Sequence, residues 1–345
     1  MGPNPRGLIG QLPTFLHSQF IFKPPIPTRS FAGETVIVTG SNTGLGLEAA
    51  RHIARLDATL LILAVRSTSK GEAARASILA SHPESKTRIE VWPLDMASYE
   101  SVQAFAARCE RDLDRLDAVL ENAGVGTRTF STAEDNELTL TVNVVSTFLL
   151  ALLLLPRLRQ TATQHNTVPR LSIVASEVHF FTDFREWESP RGVFAELNDP
   201  KTADMGDRYN VSKMMEVLAV RALAPRMRIA SASASSPGKA HPLVILDSVN
   251  PGLCHSELGR EFKGIGGAFF ALAKFLLART TEAGGRCLVA ALTVEEAHGE
   301  YVSDAKVWPV APMVRGEYGG AMQEKVWAEL AAKLEAIRPG VLANI

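Results

Sequence analysis

"VTGSNTGLGLEAA", Val38 to Ala50, decides the fold. The apolar run "TVIVTG" (Thr35 to Gly40) has the character of a buried strand. "GLGLEAARHIARL" carries its apolar residues at helical spacing. At the junction Gly40, Gly44 and Gly46 follow the spacing G-x-x-x-G-x-G. Glycines there let the chain turn sharply and let its backbone approach a pyrophosphate. The helix N-terminus then offers N–H groups and positive potential to the anion. Three glycines alone are a weak signal. Their place between a first strand and a first helix makes Gly40, Ser41, Asn42, Thr43, Gly44, Leu45 and Gly46 a candidate dinucleotide loop.

Working outward, strand and helix patterns keep alternating. "TLLILAV", "RIEVWPL", "LDAVLENAG", "RLSIVAS" and "LVILDSVNPG" read as strands, with helical runs between them. Strands apolar throughout are buried on both faces, which requires a parallel sheet covered by helices on each side. The expected fold is α/β: a Rossmann-like, doubly wound parallel sheet of about seven strands in a single domain, residues 33–345. Residues 1–32 form an N-terminal extension that packs on it. The apolar helix "FLLALLLLP" is read as buried between the sheet and a partner subunit. "ASASASSPGKAHP" (230–242) reads as a surface loop.

Composition narrows the function. A formal net charge of −1 argues against nucleic-acid binding through a basic surface. Cys109, Cys254 and Cys287 are scattered and form no metal-ligand pattern, so no metal site is expected and an intracellular, cytoplasmic setting fits. The N-terminus is too interrupted to span a membrane. The run "GIGGAFFALAKFLLA" (264–278) is split by Lys274 and reads as an amphipathic cover over a cleft, with peripheral contact to lipid as the other reading.

The tip of the second strand, "LAVRSTSK", carries no carboxylate for a free ribose 2′-hydroxyl. Arg66 offers a cation with planar donors suited to a 2′-phosphate, and Lys70 adds charge, which predicts NADP(H) over NAD(H). In "YNVSK", Tyr209 and Lys213 share a helix face. Such a lysine would lower a phenol pKa that normally lies near ~10. Taken alone, the pair is as common as any surface tyrosine and lysine.

Together "TGSNTGLG" (39–46), "LDMAS" (94–98), "ENAG" (121–124), "TVNVVS" (141–146), "IVAS" (173–176), "YNVSK" (209–213) and "NPG" (250–252) resemble the short-chain dehydrogenase/reductase family. The likeness runs from about Thr35 to about Asp304. "AVRSTSKGE", "NPGLCHSEL" and "GEYVSDAK" are similar to its retinol-dehydrogenase-like branch and to fungal reductases of secondary metabolism. The resemblance implies a catalytic set of Asn143, Ser176, Tyr209 and Lys213. Tyr209 would be the acid or base, Ser176 would hydrogen-bond the substrate oxygen, and Asn143 would hold a relay water. Lys213 would favour phenolate and hold the nicotinamide ribose. Asp95 with Met96 would meet the adenine, and Asn122, Ala123 and Gly124 its ribose. Pro251, Gly252 and Ser256 would border the nicotinamide. Glu121 departs from the family pattern, in which an asparagine often stands there, and receives no role.

Tyr209 follows Ser176 by 33 positions, and the insertion 177–205 is the natural place for specificity. With a lid at 256–290 it implies a large apolar pocket and a bulky lipophilic carbonyl or alcohol. A dehydratase, isomerase or cyclase on the same scaffold is the alternative, and a silent NADP(H)-binding sensor a third. Relatives of this kind pair through the "FLLALLLLP" and Tyr209 helices, so a homodimer or homotetramer is expected.

Overall fold

The computed structural model describes residues 15–230, 240–255 and 277–345. Its main sheet has eight strands: β1 (Thr35–Thr39), β2 (Leu60–Val65), β3 (Arg88–Pro93), β4 (Ala118–Glu121), β5 (Arg170–Val174), β6 (Ile245–Asn250), β7 (Tyr301–Ser303) and β8 (Lys306–Trp308). Their order is 8-7-6-5-4-1-2-3, and every pairing is parallel except β7 with β8. The doubly wound parallel sheet read from the sequence is therefore present, with one antiparallel edge strand more than expected. β7 and β8 have three residues each, too short to show a period, and the turn between them lacks glycine. Asp304 and Ala305 carry its positive φ values of 51° and 60°, a conformation that costs a residue with a Cβ.

Side-chain alternation along β1 builds two cores. Val36 and Val38 point to one face, with Leu61, Leu63, Ala118 and Leu120, beneath α1 (Gly44–Arg55), α2 (Thr68–Ser81) and a late helix, Thr281–Ala291. Ile37 points to the other, with Ile62 and Val119, beneath α3 (Tyr99–Asp112), α4 (Thr147–His165) and α5 (Arg208–Arg226). With the late helix numbered α6, the C-terminal helix Gly316–Ile337 is α7, and it packs along α5. The described half of the expected lid, α6, is thus scaffold. Gly284 fits between Leu45 and Cys254, and Gly285 lies against the α1 backbone at Ala49. Residues 256–276 lie outside the described residues.

One expectation is corrected. The apolar stretch Leu138–His165 is long and apolar enough to cross a bilayer, yet 89% of its window is buried inside the chain itself. No partner subunit is needed to cover it. The turn Val341–Asn344 and α3 pack on α4, and α7 packs along α5 and on the turn Thr141–Ser146.

The C-terminal turn also repairs a fault in α4. Pro156 has no N–H, so the carbonyl of Leu152 lacks its helical donor. Asn344 Nδ2 donates to that oxygen at 3.1 Å, and Arg159 Nη1 holds the carbonyl of Asn344 at 2.6 Å. Replacing Asn344 with alanine leaves a buried carbonyl unpaired. We expect Asn344→Ala to lower stability by about 1 kcal/mol in urea unfolding; an unchanged midpoint would show that this bond is dispensable.

Candidate active site

At the carboxyl edge of the sheet, the first βα turn is shaped by contacts from β4. Gly40 and Gly44 have φ of +63° and +61°. Asn122 Nδ2 donates to the carbonyls of Thr39 (2.8 Å) and Gly40 (3.3 Å). A Cβ at Gly46 would lie 2.4 Å from the same amide nitrogen, so only glycine fits there. Thr39 Oγ1 accepts from the N–H groups of Asn122 and Ala123, each at 2.9 Å. Asn122 therefore latches the glycine turn, a more structural task than bordering ribose. Thr39, which sequence reasoning passed over, is its partner.

The turn fits a pyrophosphate. A Cβ at Gly44 would meet nothing within 4 Å, so the turn is open on that side. Thr43 precedes α1 without capping it by its side chain, which leaves the first N–H groups to a ligand. Ser41 Oγ is buried and has no partner among the described residues. At the tip of β2, Arg66 and Lys70 are exposed, and their side chains make no bond or ion pair among the described residues. Asp95 follows β3; its Oδ1 accepts from Ala97 N at 3.0 Å, beside the buried Met96.

The catalytic candidates come from three further elements. Asn143 lies in a π-helical turn, Thr141–Ser146, that leads into α4. Such local widenings often occur at functional sites. Its amide brackets Val125, accepting from N and donating to O at 2.9 Å each, and donates to Ser212 Oγ at 3.0 Å. Both amide hydrogens are spent, so this side chain positions the loop after β4. Gly124 lies under Asn143 and Lys213: a Cβ there would be 3.3 Å from Asn143 Oδ1 and 3.7 Å from Lys213 Nζ. The Tyr209 ring rests on Gly126, 3.1 Å from where a Cβ would stand. Lys213 Nζ donates to the carbonyl of Val174, the last residue of β5, at 2.7 Å, and Ser176 follows two residues later. Asn143, Tyr209 and Lys213 thus surround the β4 loop, and Lys213 ties them to the strand that delivers Ser176.

The loop after β6 closes the arrangement. Asn250 Oδ1 accepts from Glu177 N (3.2 Å) and Gly252 N (3.0 Å), joining the start of the insertion to the Pro251–Gly252 turn. Arg279 is buried; it donates to Pro251 O at 3.4 Å and Asp304 Oδ1 at 2.7 Å, and also to the carbonyl of Ser18 in the N-terminal extension. Through Arg279, Ser18 is joined to the Pro251–Gly252 turn. Arg279 and Asp304 gave no sequence signal, because a charged residue in a loop reads as solvated. Ser256 lies outside the described residues.

Within the insertion, Phe180 and Phe181 line a cleft of about 40 Å³ with Phe15, Tyr301, Trp308 and Glu177. That space holds a water or two, so the described residues alone do not enclose the large pocket expected. Trp187 and Phe194 do other work. Trp187 donates to Tyr318 Oη at 2.9 Å, and the N–H groups of Val193 and Phe194 are capped by Glu329 of α7. His179 is fully buried; its Nε2 accepts from Ala311 N at 3.2 Å, so its Nδ1–H donates to Ser176 O at 2.7 Å. It holds the Ser176 backbone.

The Tyr209 phenol is pushed above its ordinary range, first by burial and then by the carboxylate of Glu216. Lys213 does not offset this, because its ammonium is paired with Glu216 at 2.8 Å and lies 5.6 Å from the Tyr209 ring centroid. The direction of that shift favours the protonated phenol. Cys109 and Cys287 are buried thiols pushed up to about 12 and about 11, and Cys254 is buried with them, so none has the character of a nucleophile.

A doubly wound sheet with a glycine turn after β1 and an Asn, Ser, Tyr and Lys set at its carboxyl edge defines a dinucleotide-dependent class. The family model for short chain dehydrogenase matches residues 34–174. The chain is 48% identical over 334 residues to the short chain dehydrogenase/reductase dmxR8 of Cryptosporiopsis sp. (strain 8999), covering 96% of this chain and 99% of that one. It is 44% identical over 331 residues to the short-chain dehydrogenase anuD of Penicillium roqueforti (strain FM164), covering 95% and 84%. Among solved structures, an alcohol dehydrogenase from the archaeon Thermococcus sibiricus complexed with 5-hydroxy-NADP superposes with a TM-score of 0.54 at 18% identity, covering 83% and 99%. A 3-ketoacyl-(acyl-carrier-protein) reductase from Brucella melitensis complexed with NADH gives 0.55 at 17%, covering 79% and 97%. This chain belongs to the short-chain dehydrogenase/reductase family of oxidoreductases.

The buried imidazole gives a pH test. Burial pushes His179 down to about 4 from 6.5, so the unfolded chain binds the extra proton between those values. Stability then rises with pH across that window. The contribution is complete above about pH 6.5 and lost as pH falls toward 4, up to ~3 kcal/mol. Buried carboxyls such as Glu216 act with the opposite sign, so the reading is a difference. Unfolding free energy of the unmodified protein minus that of His179→Gln should fall on acidification from pH 7 to 4; a flat difference would mean the imidazole is not held neutral.

Proposed function

We propose that this chain is an NADP(H)-dependent oxidoreductase that interconverts a carbonyl and an alcohol on a bulky lipophilic substrate, with Tyr209 as the acid or base. The observation that carries the reading is the meeting of Asn143, Tyr209 and Lys213 around Gly124–Gly126, with Lys213 bonded to the strand that delivers Ser176. The nicotinamide, when bound, supplies or takes the hydride. The chain's own residues do the rest. Gly40–Gly46 and the N-terminus of α1 would hold the pyrophosphate, and Arg66 with Lys70 the 2′-phosphate. Tyr209, kept protonated by its surroundings, would give its proton to the carbonyl oxygen in reduction. Ser176 would donate a hydrogen bond to the charge developing on that oxygen.

The substrate class rests on the aromatic side chains of Phe180 and Phe181, which line a cleft with Glu177, the residue after Ser176 in the chain. Fungal relatives bearing the short-chain dehydrogenase name across nearly the full chain support a role in secondary metabolism. Among the described residues the helix apolar enough to cross a bilayer is spent on the core, which fits a cytoplasmic enzyme.

NADPH oxidation should be measured with lipophilic aldehydes, ketones and quinones. Tyr209→Phe is expected to lower kcat about 10²- to 10⁴-fold while NADPH still binds. Turnover undiminished in that variant would remove Tyr209 from the chemistry. For the cofactor, Arg66→Asp should weaken NADPH binding about 10- to 100-fold and NADH binding little, read as Kd from nicotinamide fluorescence. Equal effects on both would remove the assignment of Arg66.

A further inference from the structure

Two buried carboxyl groups near Lys213 and its strand are not used by the proposed reaction. Glu121 ends β4, and Glu216 follows Lys213 by one turn of α5. They are 3% and 2% exposed. Glu216 Oε1 accepts from Lys213 Nζ at 2.8 Å, while its Oε2 is buried without a partner. Both oxygens of Glu121 are buried without a partner among the described residues. Glu121 stands opposite Ile173 of β5, one residue before the Val174 carbonyl that holds Lys213, and strand alternation turns its side chain to the face of Val119, which α5 covers. Removing a second, unpaired carboxylate from water costs several kcal/mol, and a group so placed takes a proton instead. The charged and titratable groups in reach are Lys213 and Tyr209 on α5 and Glu121 on β4.

The direction of each group's shift agrees with this geometry. The Glu121 carboxyl is raised well above its ordinary range by burial and then by the charge of Glu216. Burial pushes Glu216 up to about 7, against the pull of Lys213. The charge of Glu216 also reaches the Tyr209 phenol.

We propose that Glu121 and Glu216 hold one proton between them, and that its position sets the acidity of Tyr209 through Lys213. With Glu216 ionised, the ammonium is neutralised at close range and Tyr209 stays a phenol, the form that donates to a carbonyl. With Glu216 protonated, the ammonium is unopposed and phenolate, the form that accepts from an alcohol, is favoured. Glu121 is the proton's other seat. Both residues act through Lys213 and are positioning residues. The meaning for catalysis rests on the reading of Tyr209 as acid and base; the shared proton itself does not.

The test uses the whole, cofactor-free chain and two readouts that need no turnover. In infrared difference spectra at pH 7, the unmodified protein minus Glu121→Gln should show the C=O band of a protonated carboxyl. Phenolate absorbance, taken as a difference against Tyr209→Phe, should titrate about one pH unit or more lower in Glu216→Gln, tenfold in the ionisation constant. In Glu121→Gln, where Glu216 keeps its charge, the same titration should move upward. Glu121 touches no donor, so that variant also guards against misfolding of the other. A missing carboxyl band overturns the shared proton, and an unmoved Tyr209 titration in both variants overturns the coupling. Loss of the substrate reading would touch neither result. Full activity in Tyr209→Phe would sink the enzymatic reading and leave the carboxyl pair standing.

Discussion

A buried ammonium must be surrounded by acceptors, and Lys213 finds its acceptors on two different layers of the molecule. One is the carbonyl of Val174 at the end of β5; the other is Glu216 on its own helix. Leaving either unmade would strand a charge inside the protein. α5 is thereby fixed against the central sheet at the place where β5 releases Ser176. The rest of the site follows. Tyr209, one turn earlier on α5, is laid on Gly126. Arg208 beside it is buried, with its guanidinium on the carbonyl of Leu197 and near Glu137, so the start of α5 cannot swing away.

The same economy runs through the cofactor side. Asn122 has one amide to give, and it gives it to the glycine turn. That couples β4 to β1, so the turn that would receive the pyrophosphate and the loop that carries Gly124 and Gly126 move as one body. Asn143 then ties that loop to α5 through Ser212. Pyrophosphate turn, loop and acid–base helix form one chain of short bonds. α7 covers the back of α5 and caps the insertion through Glu329, and Lys325 Nζ holds the carbonyls of Trp187 and Ser189. A single late helix therefore supports both α5 and the insertion 177–205.

Much of this was legible in the sequence, because periodicity and glycine spacing report the local demands of strands, helices and tight turns. Val36, Ile37 and Val38 declare a strand buried on both faces, and Gly40, Gly44 and Gly46 declare the turn. The misses have physical causes. β7 and β8 are too short for a period, and Asp304 takes a glycine-like conformation while paired with Arg279 from a distant segment. The partner of the apolar α4 was sought outside the chain, since hydropathy shows that a face is covered and is silent on what covers it. Lys213 was expected to favour the Tyr209 phenolate and to hold the nicotinamide ribose, with no carboxylate beside it. Its pairing with Glu216 had one visible signal, a glutamate inside the apolar run "MMEVLAV", and Glu121 had another, a carboxylate ending a strand buried along its whole length.

The most direct measurement follows the label in a single turnover. NADPH carrying deuterium at the transferable position of the nicotinamide is mixed with enzyme and a converted carbonyl substrate, and the product is read by mass spectrometry. The account predicts deuterium on the former carbonyl carbon and a proton from solvent on its oxygen. A product formed without deuterium, and with the nicotinamide still reduced, would contradict it, because the tyrosine and lysine would then be serving a reaction in which no hydride moves.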